Sequence, residues 1–166
     1  MSANAQRAAE TPQGGRDAKE LALLFEVSRG FEKNLDLREA LGPILDKLAT
    51  TLGLRRGALC LLDPDDDEIN IEVCSGLTPL QQQQGTWRFG EGITGEVIRT
   101  GKPILIARVS HDPRFLNITG ARVPPPGHDL AFICVPIRLD SRAIGALSAD
   151  RLTADSQTLE HDLRLL

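Results

Sequence analysis

Side chains with binding chemistry are concentrated in one stretch of the sequence, from Arg108 to Asp129, which we term the long connection. It carries guanidinium, imidazole, carboxylate, amide and hydroxyl groups: Arg108, His111, Asp112, Arg114, Asn117, Thr119, Arg122 and His128. The planar fork of arginine binds a carboxylate through two hydrogen bonds. This set of residues therefore indicates that the long connection is a lid that covers a bound anionic small molecule. A solvated loop with local caps is the alternative interpretation.

A glycine motif, GEGITG, places Gly90, Gly92 and Gly95 at the spacing of a dinucleotide-binding loop. The short apolar segment before it carries Arg88, and the chain lacks a repeating βαβ pattern. These features favour a tight turn that lets a helix pack close to a sheet. The N–H groups at the start of that helix would still attract an anionic ligand.

The sequence shows no pattern typical of metal binding or catalysis. The acidic run Asp63–Glu68 begins like a calcium loop, but the positions that need Gly and Glu hold Glu68 and Cys74. The Cys and His residues lack metal-ligand spacing, and nucleophile-elbow, HExxH and Walker motifs are absent from the sequence. We therefore expect no metal, no cofactor and no catalytic residues.

Composition excludes further classes of protein. The chain has 166 residues, a net charge of −4 and only 4% aromatic residues, which argues against nucleic-acid or anionic-membrane binding. No apolar run approaches the ~20 residues that span a bilayer, and the N-terminus lacks a secretory signal. The three widely spaced cysteines then indicate free thiols, and we expect a cytoplasmic protein.

Periodicity predicts the elements that must position these residues. Residues 1–15 are small and polar and predict a disordered tail. Apolar residues at helical spacing predict a helix from Leu21 to Phe31 and a second helix from an Asp36 cap to Gly53, kinked at Pro43. The last residues predict a helix capped by Asp155 or Ser156, which the chain end leaves unfinished.

Between these helices the period changes to that of strands. ALCLLD and INIEVCSG predict a hairpin in which Ile69, Ile71 and Val73 share one face. Further strands (WRF, PILIA) flank a helix that ends at Gly101, and a central hairpin turns at Asp140–Ser141. This order predicts an α+β fold: a mainly antiparallel sheet, with the N- and C-terminal helices on one face and the long connection available to cover a ligand.

In this order the elements resemble a GAF domain, and three segments are similar to the nitrogen-fixation activator (NifA) family. These are LDLREALGPILDKLATTLGLRRGALCLLD, RFGEGITGEVIRTGKPILIARVSHDPRFLN and FICVPIRLDSRAIGALSADR. The resemblance implies a GAF sensor domain over residues 16–155 and, over 156–166, the start of a helix leading to absent downstream domains.

What the resemblance implies about function is regulatory. The domain would control an absent AAA+ ATPase domain in a sigma-54-dependent activator, with DNA bound only through absent domains. It would sense 2-oxoglutarate and contact an inhibitory or PII-type signalling protein. Three alternatives stay open: a cyclic-nucleotide-binding GAF domain, a dimerisation module without ligand, and a methionine sulfoxide reductase. The reductase would need a cysteine where Ile93–Thr94 stand.

A dicarboxylate ligand then predicts roles for particular residues. Arg114 and Arg122 would supply the cationic fork, and Asn117 and Thr119 would bind the keto group. The amides around Ile93 would receive the second carboxylate. Ser148 would line the floor, and His128 completes the candidate ligand-binding set.

Exposed apolar helix stripes usually find a partner. The stripes led by Leu21 and Phe25 and by Leu159, Leu163 and Leu166 therefore predict a homodimer through the terminal helices.

Overall fold

The computed structural model describes residues 37–166. The predicted tail, the helix from Leu21 to Phe31 and the Asp36 cap lie outside the described residues. In chain order the structure contains helix α1 (Leu37–Leu52), strands β1 (Arg56–Asp63) and β2 (Glu68–Ser75), helix α2 (Pro79–Gln84), strand β3 (Thr86–Arg88), helix α3 (Gly92–Thr100), strand β4 (Ile104–Ile106), a 3-10 turn (Val109–His111), strands β5 (Leu130–Leu139) and β6 (Arg142–Leu152), and helix α4 (Ser156–Leu165).

The strands form one six-stranded antiparallel sheet in the order β3-β2-β1-β6-β5-β4. The predicted central hairpin, β5–β6, turns at Asp140, whose positive φ of 55° suits the small polar residue found there. Strand β6 pairs with β1 on its other side and therefore lies in the middle of the sheet. The fold is α+β, as the sequence predicts.

The two terminal helices of the described chain cover one face of this sheet. Four leucines of α1 (Leu41, Leu45, Leu48 and Leu52) pack with Val73 and Leu59, and Leu165 of α4 joins the same cluster. These leucines recur at helical spacing, so α1 buries one continuous stripe. The prediction that N- and C-terminal helices cover one face of the sheet is confirmed for α1 and α4.

Strand β2 contains a β-bulge that the alternation of its sequence does not reveal. Leu59 pairs with Val73 but Cys60 pairs with Ile71, so Glu72 is the extra residue. Ile71 consequently packs on the face opposite the helices, whereas Val73 packs under α1. The prediction that Ile69, Ile71 and Val73 share one face is therefore wrong for Val73.

The second face of the sheet is covered by α3 and by part of the long connection. Ile93, Val97 and Ile98 of α3 pack against residues of β1, β5 and β6, and Phe115 and Ile118 of the connection join them. Gly95 permits this close contact, since a Cβ there would lie 2.8 Å from the Arg88 carbonyl oxygen and the Gly90 backbone. The apolar cluster on this face is the second core of the domain. The glycine motif is thus a turn that lets α3 pack closely at the edge of this second core.

None of the helices found between residues 37 and 166 is long and apolar enough to cross a lipid bilayer.

Candidate functional site

A small cavity lies between the second face of the sheet, the first turn of α3 and the long connection. Its volume is about 10 Å³, roughly enough for one water molecule. Eight residues line it. Five are apolar, namely Trp87, Ile93, Phe115, Leu116 and Phe132, and three are polar, namely Thr94, Arg122 and Ser148. The chemistry of this lining, apolar side chains with a few convergent polar groups, is the kind found in small-molecule sites.

Arg122 is the charged group of this cavity. Its side chain is 5% exposed, and its Nε lies 2.9 Å from Oδ2 of Asp150. The guanidinium carbon stands 5.1 Å from the centre of the Phe132 ring, which places the cation over the aromatic face. Its Nη2 atom is buried and makes no hydrogen bond to the part of the chain that the structure describes.

Asp150 holds a second cation on its other oxygen. Nη1 of Arg56 donates to Oδ1 of Asp150 at 2.9 Å, and the Asp150 side chain is fully buried. Burial raises the pKa of Asp150, against the opposing effect of Arg122 and Arg56. Burial lowers the pKa of Arg122, against the opposing effect of Asp150. Each buried charge therefore depends on the others for its ionised state.

The backbone of Arg122 is fixed by Asn117. Oδ1 of Asn117 accepts from the Arg122 N–H at 3.0 Å, and Nδ2 of Asn117 donates to the Arg122 carbonyl at 3.3 Å. The two bonds close a six-residue turn, residues 117–122, within the long connection. Asn117 therefore positions the arginine, and its amide is already engaged in this conformation.

The start of α3 provides the second polar wall. Ile93 and Thr94 are both 3% exposed at this turn. Glu91, at the N-cap, makes no side-chain cap bond to the helix, because its carboxylate accepts from the Arg88 N–H at 2.8 Å. The first turn of α3 therefore lines the cavity through Ile93 and Thr94 and has no capping side chain.

The structure brings together three of the seven sequence-predicted binding residues. Ile93, Arg122 and Ser148 line the cavity. Asn117 does not line the cavity but binds the backbone of Arg122. Thr119 is buried, and its Oγ1 accepts from the Ala121 N–H at 3.3 Å. Ser148 sits on β6 and its Oγ donates to the Ala58 carbonyl at 3.4 Å.

Arg114 and His128 occupy other places. Arg114 is half exposed and pairs with Asp112 at 2.7 Å and Glu96 at 3.2 Å, so nearby carboxylates already satisfy its fork. His128 is exposed and lines a separate surface cleft with Arg108 and His111.

Two charged residues of the site escape prediction from sequence, namely Asp150 and Arg56. Asp150 ends the otherwise apolar segment AIGALSAD, where it falls on the same strand face as Ser148. A carboxylate in a central strand has to be paired when buried, and that is the signal that could have found it. Arg56 opens β1 beside Asp150 in the sheet register.

The cysteines are poor nucleophiles in this fold. Cys60 and Cys134 are buried on the cavity side of the sheet. Burial raises the pKa of Cys60 to about 12 and raises that of Cys134 as well. Both thiols therefore stay protonated near neutral pH, and neither lines the cavity. Within residues 37–166 no group of Cys, His, Asp and Glu is placed to hold a metal ion.

An antiparallel sheet with helices on one face, and a cavity under the long connection on the other, defines an α+β domain with a covered site on one side of its sheet. Residues 36–166 match the GAF domain family, and the chain belongs to that family.

Relatives of this chain include nitrogen fixation proteins and Nif-specific regulatory proteins. The chain is 36% identical over 149 residues to nitrogen fixation protein AnfA of Azotobacter vinelandii, covering 89% of this chain and 28% of the relative. It is 32% identical to the Nif-specific regulatory protein of Herbaspirillum seropedicae over 148 residues, covering 89% and 27%. The chain thus spans just over a quarter of the length of each of these two relatives.

Solved structures share the fold. The GAF domain of A. aeolicus nlh2, in an inactive state, superposes with a TM-score of 0.78 at 24% identity, covering 90% of each chain. A free methionine-R-sulfoxide reductase from Neisseria meningitidis has a TM-score of 0.69 at 20% identity, covering 99% of this chain and 91% of the reductase.

Proposed function

We propose that this GAF domain is the small-molecule-sensing regulatory domain of a sigma-54-dependent activator of nitrogen-fixation genes, and that Arg122 binds a small carboxylate. The first candidate ligand is 2-oxoglutarate. The observation that carries the proposal is the buried Arg122 guanidinium, whose Nη2 faces no acceptor in the described chain. A guanidinium with an unused donor offers a carboxylate a charge-assisted hydrogen bond.

The local charge supports an anion. Two buried guanidiniums, Arg56 and Arg122, face one buried carboxylate, Asp150. This group therefore carries one positive charge in excess, which an incoming carboxylate would neutralise. The start of α3, which lacks a side-chain cap, would favour the second carboxylate of a dicarboxylate. The keto group would lie near the hydroxyls of Thr94 and Ser148, and Ser148 would exchange its bond to the Ala58 carbonyl for one to the ligand.

The size of the cavity requires that the domain open before it binds. A volume of about 10 Å³ is far below that of a five-carbon acid. Phe115, Leu116 and Arg122 all belong to the long connection, so outward movement of that segment would enlarge the site. A ligand would then select the conformation in which this segment has moved outward.

The proposed role is regulatory and not catalytic. Proteins similar to this chain are Nif-specific regulators. The cavity lining includes no cysteine, whereas the resemblance implies that the reductase alternative needs one where Ile93–Thr94 stand. A thiol-dependent assay with free methionine sulfoxide should give no turnover above a heat-denatured control.

Thermal unfolding tests the ligand. At 100 times its dissociation constant a ligand adds about 2.7 kcal/mol to the stability of the folded state. For a domain of this size each kcal/mol moves the Tm by roughly 2–4 °C. Saturating 2-oxoglutarate should therefore raise the Tm by roughly 5–11 °C.

A matched pair of variants assigns the effect to one arginine. Arg122→Met should abolish most of the ligand-induced Tm shift, whereas Arg114→Met should preserve it. Both arginines lie in the long connection, but Arg114 is already paired with Asp112 and Glu96. An unchanged Tm at millimolar 2-oxoglutarate, with the domain folded, would exclude 2-oxoglutarate as the ligand. An equal loss of the Tm shift in both variants would argue against the cavity as the binding site.

The remaining proposals concern assembly and output. We propose a homodimer through the terminal helices, with control of an ATPase domain and contact with an inhibitory or PII-type protein. Leu159 of α4 is buried in the domain, but Leu163 of α4 and Leu166, which follows the helix, are only partly buried and offer apolar surface. Light scattering should report twice the chain mass at micromolar concentration, and Leu163→Glu should shift it to the monomer. A wild-type monomer at high concentration would exclude this dimer.

A further inference from the structure

Two consecutive residues of β6, Asp150 and Arg151, carry charged side chains to opposite faces of the sheet. Asp150 pairs in register with Phe132 and faces the cavity. Arg151 pairs in register with Ala131 and faces the helices. The central strand thus joins two buried ion pairs through a single peptide bond.

On the helix side, Arg151 contacts both terminal helices of the described chain. Its Nη1 donates to Oδ2 of Asp162 on α4 at 2.5 Å, and the Asp162 side chain is fully buried. The same nitrogen donates to the carbonyl of Leu52, the last residue of α1, at 3.3 Å. One guanidinium therefore bridges the end of α1 and the middle of α4.

On the cavity side, Asp150 holds the segment that follows α1. The Asp150 carboxylate binds the Arg56 side chain, and the Asp150 carbonyl accepts from the Arg55 N–H at 2.7 Å. The chain between Leu52 and Arg56 is therefore fixed by Asp150 and by Arg151 at once. Asp150 and Arg151 therefore both hold this short connection.

We infer that the Asp150–Arg151 pair is the output element of the domain, which transmits occupancy of the cavity at Arg122 to helix α4 through Asp162. The inference rests on the proposed function. A carboxylate bound at Nη2 of Arg122 shares the guanidinium charge with Asp150, which is held at Nε, and so weakens the pairing of Asp150 with Arg122. The end of β6 and the connection 52–56 then change position, and the ion pair between Arg151 and Asp162 changes its geometry. A ligand can bias α4 in this way only because Arg122 has different partners in the two states.

A double-mutant cycle tests the coupling without any ligand. Arg122→Met alters the cavity side, and Asp162→Asn alters the helix side while keeping its shape. Amide hydrogen exchange of residues 159–165 reports the local opening of α4 in each folded variant. For coupled sites the double variant should deviate from the product of the single effects by about threefold or more. Should Arg122→Met fail to fold, Arg122→Lys takes its place.

The control cycle pairs Arg122→Met with Asp46→Asn. Asp46 lies on α1 and binds the Ser75 hydroxyl of β2 at 2.5 Å, so it also joins a covering helix to the sheet but does not contact Arg151. The effects of Arg122→Met and Asp46→Asn on amide exchange in α4 should be independent, so that the double variant equals the product of the two single effects. Independent effects in the Asp162 cycle, or equal deviation in both cycles, would overturn the inference.

A ligand experiment separates this inference from the proposed function. With 2-oxoglutarate bound, exchange in α4 should change about fivefold or more. In Asp162→Asn the Tm shift should remain while the α4 response is lost. Binding without any α4 response in the wild type would overturn the coupling. Failure of 2-oxoglutarate to bind would count against the proposed ligand alone, and the ligand-free cycle would then decide the coupling.

Discussion

Replacing Asp150 with alanine is expected to lower the free energy of unfolding by about 3–5 kcal/mol, because it leaves two buried guanidiniums without their counter-charge. The side chains of Arg56 and Arg122 are only 12% and 5% exposed, so solvent cannot replace the lost carboxylate. Urea unfolding followed by circular dichroism gives the change in midpoint and slope. Among single substitutions in the described chain, this should be one of the most damaging.

Two further variants make the cause specific. Asp66→Ala removes an exposed carboxylate from the β1–β2 hairpin tip and should change stability by less than about 0.5 kcal/mol. Adding Arg122→Met to Asp150→Ala should restore part of the lost stability, since one uncompensated buried charge disappears. A double variant less stable than Asp150→Ala would show that Arg122 acts through packing instead of charge.

Local signals allowed most of the secondary structure to be predicted. The Asp155 carboxylate accepts from the Thr158 N–H at 2.9 Å and caps α4, one of the two caps that the sequence offers. Helix α3 ends at Gly101, which adopts the left-handed conformation at a φ of 64°. Caps and glycines act within a few residues, so the sequence alone encodes these boundaries.

Features set by partners distant in the sequence were not predictable in the same way. The bulge at Glu72 depends on how β2 pairs with β1, and regular alternation of apolar residues conceals it. As a result, Cys74 lies partly buried on the second core, although alternation assigns it to the opposite, polar face. Only the paired strand reveals which register is adopted.

The candidate site shows the same division. Arg114 and Arg122 are the same residue type in the same connection, and the sequence treats them alike. The nearby Asp112 binds Arg114 at the surface, a local contact visible from spacing. Arg122 is recruited into the cavity by Asp150, a strand residue far along the chain. Sequence reasoning therefore located the connection that holds the site but could not decide which arginine is buried in it.

Phe132→Ala is expected to cost about 3–5 kcal/mol of unfolding free energy, the usual loss for truncating a buried aromatic side chain. The ring is 4% exposed and lies on β5 at the floor of the cavity. It packs edge-on against Phe115 at 5.1 Å between ring centres, and it supports the Arg122 guanidinium at the same distance. Removing it therefore deletes an aromatic pair, a cation–π contact and core volume together.

The matched control for that loss is Phe89→Ala, because Phe89 is 45% exposed. Its truncation should cost well under half as much as truncation of Phe132. Phe132→Leu refills most of the volume without a ring, so it should fall between the two, and its remaining deficit measures the contribution of the aromatic contacts. Denaturant midpoints for the three variants test this order. Equal losses for Phe132→Ala and Phe89→Ala would mean that the ring of Phe132 is not enclosed, and that the cavity floor is open to solvent.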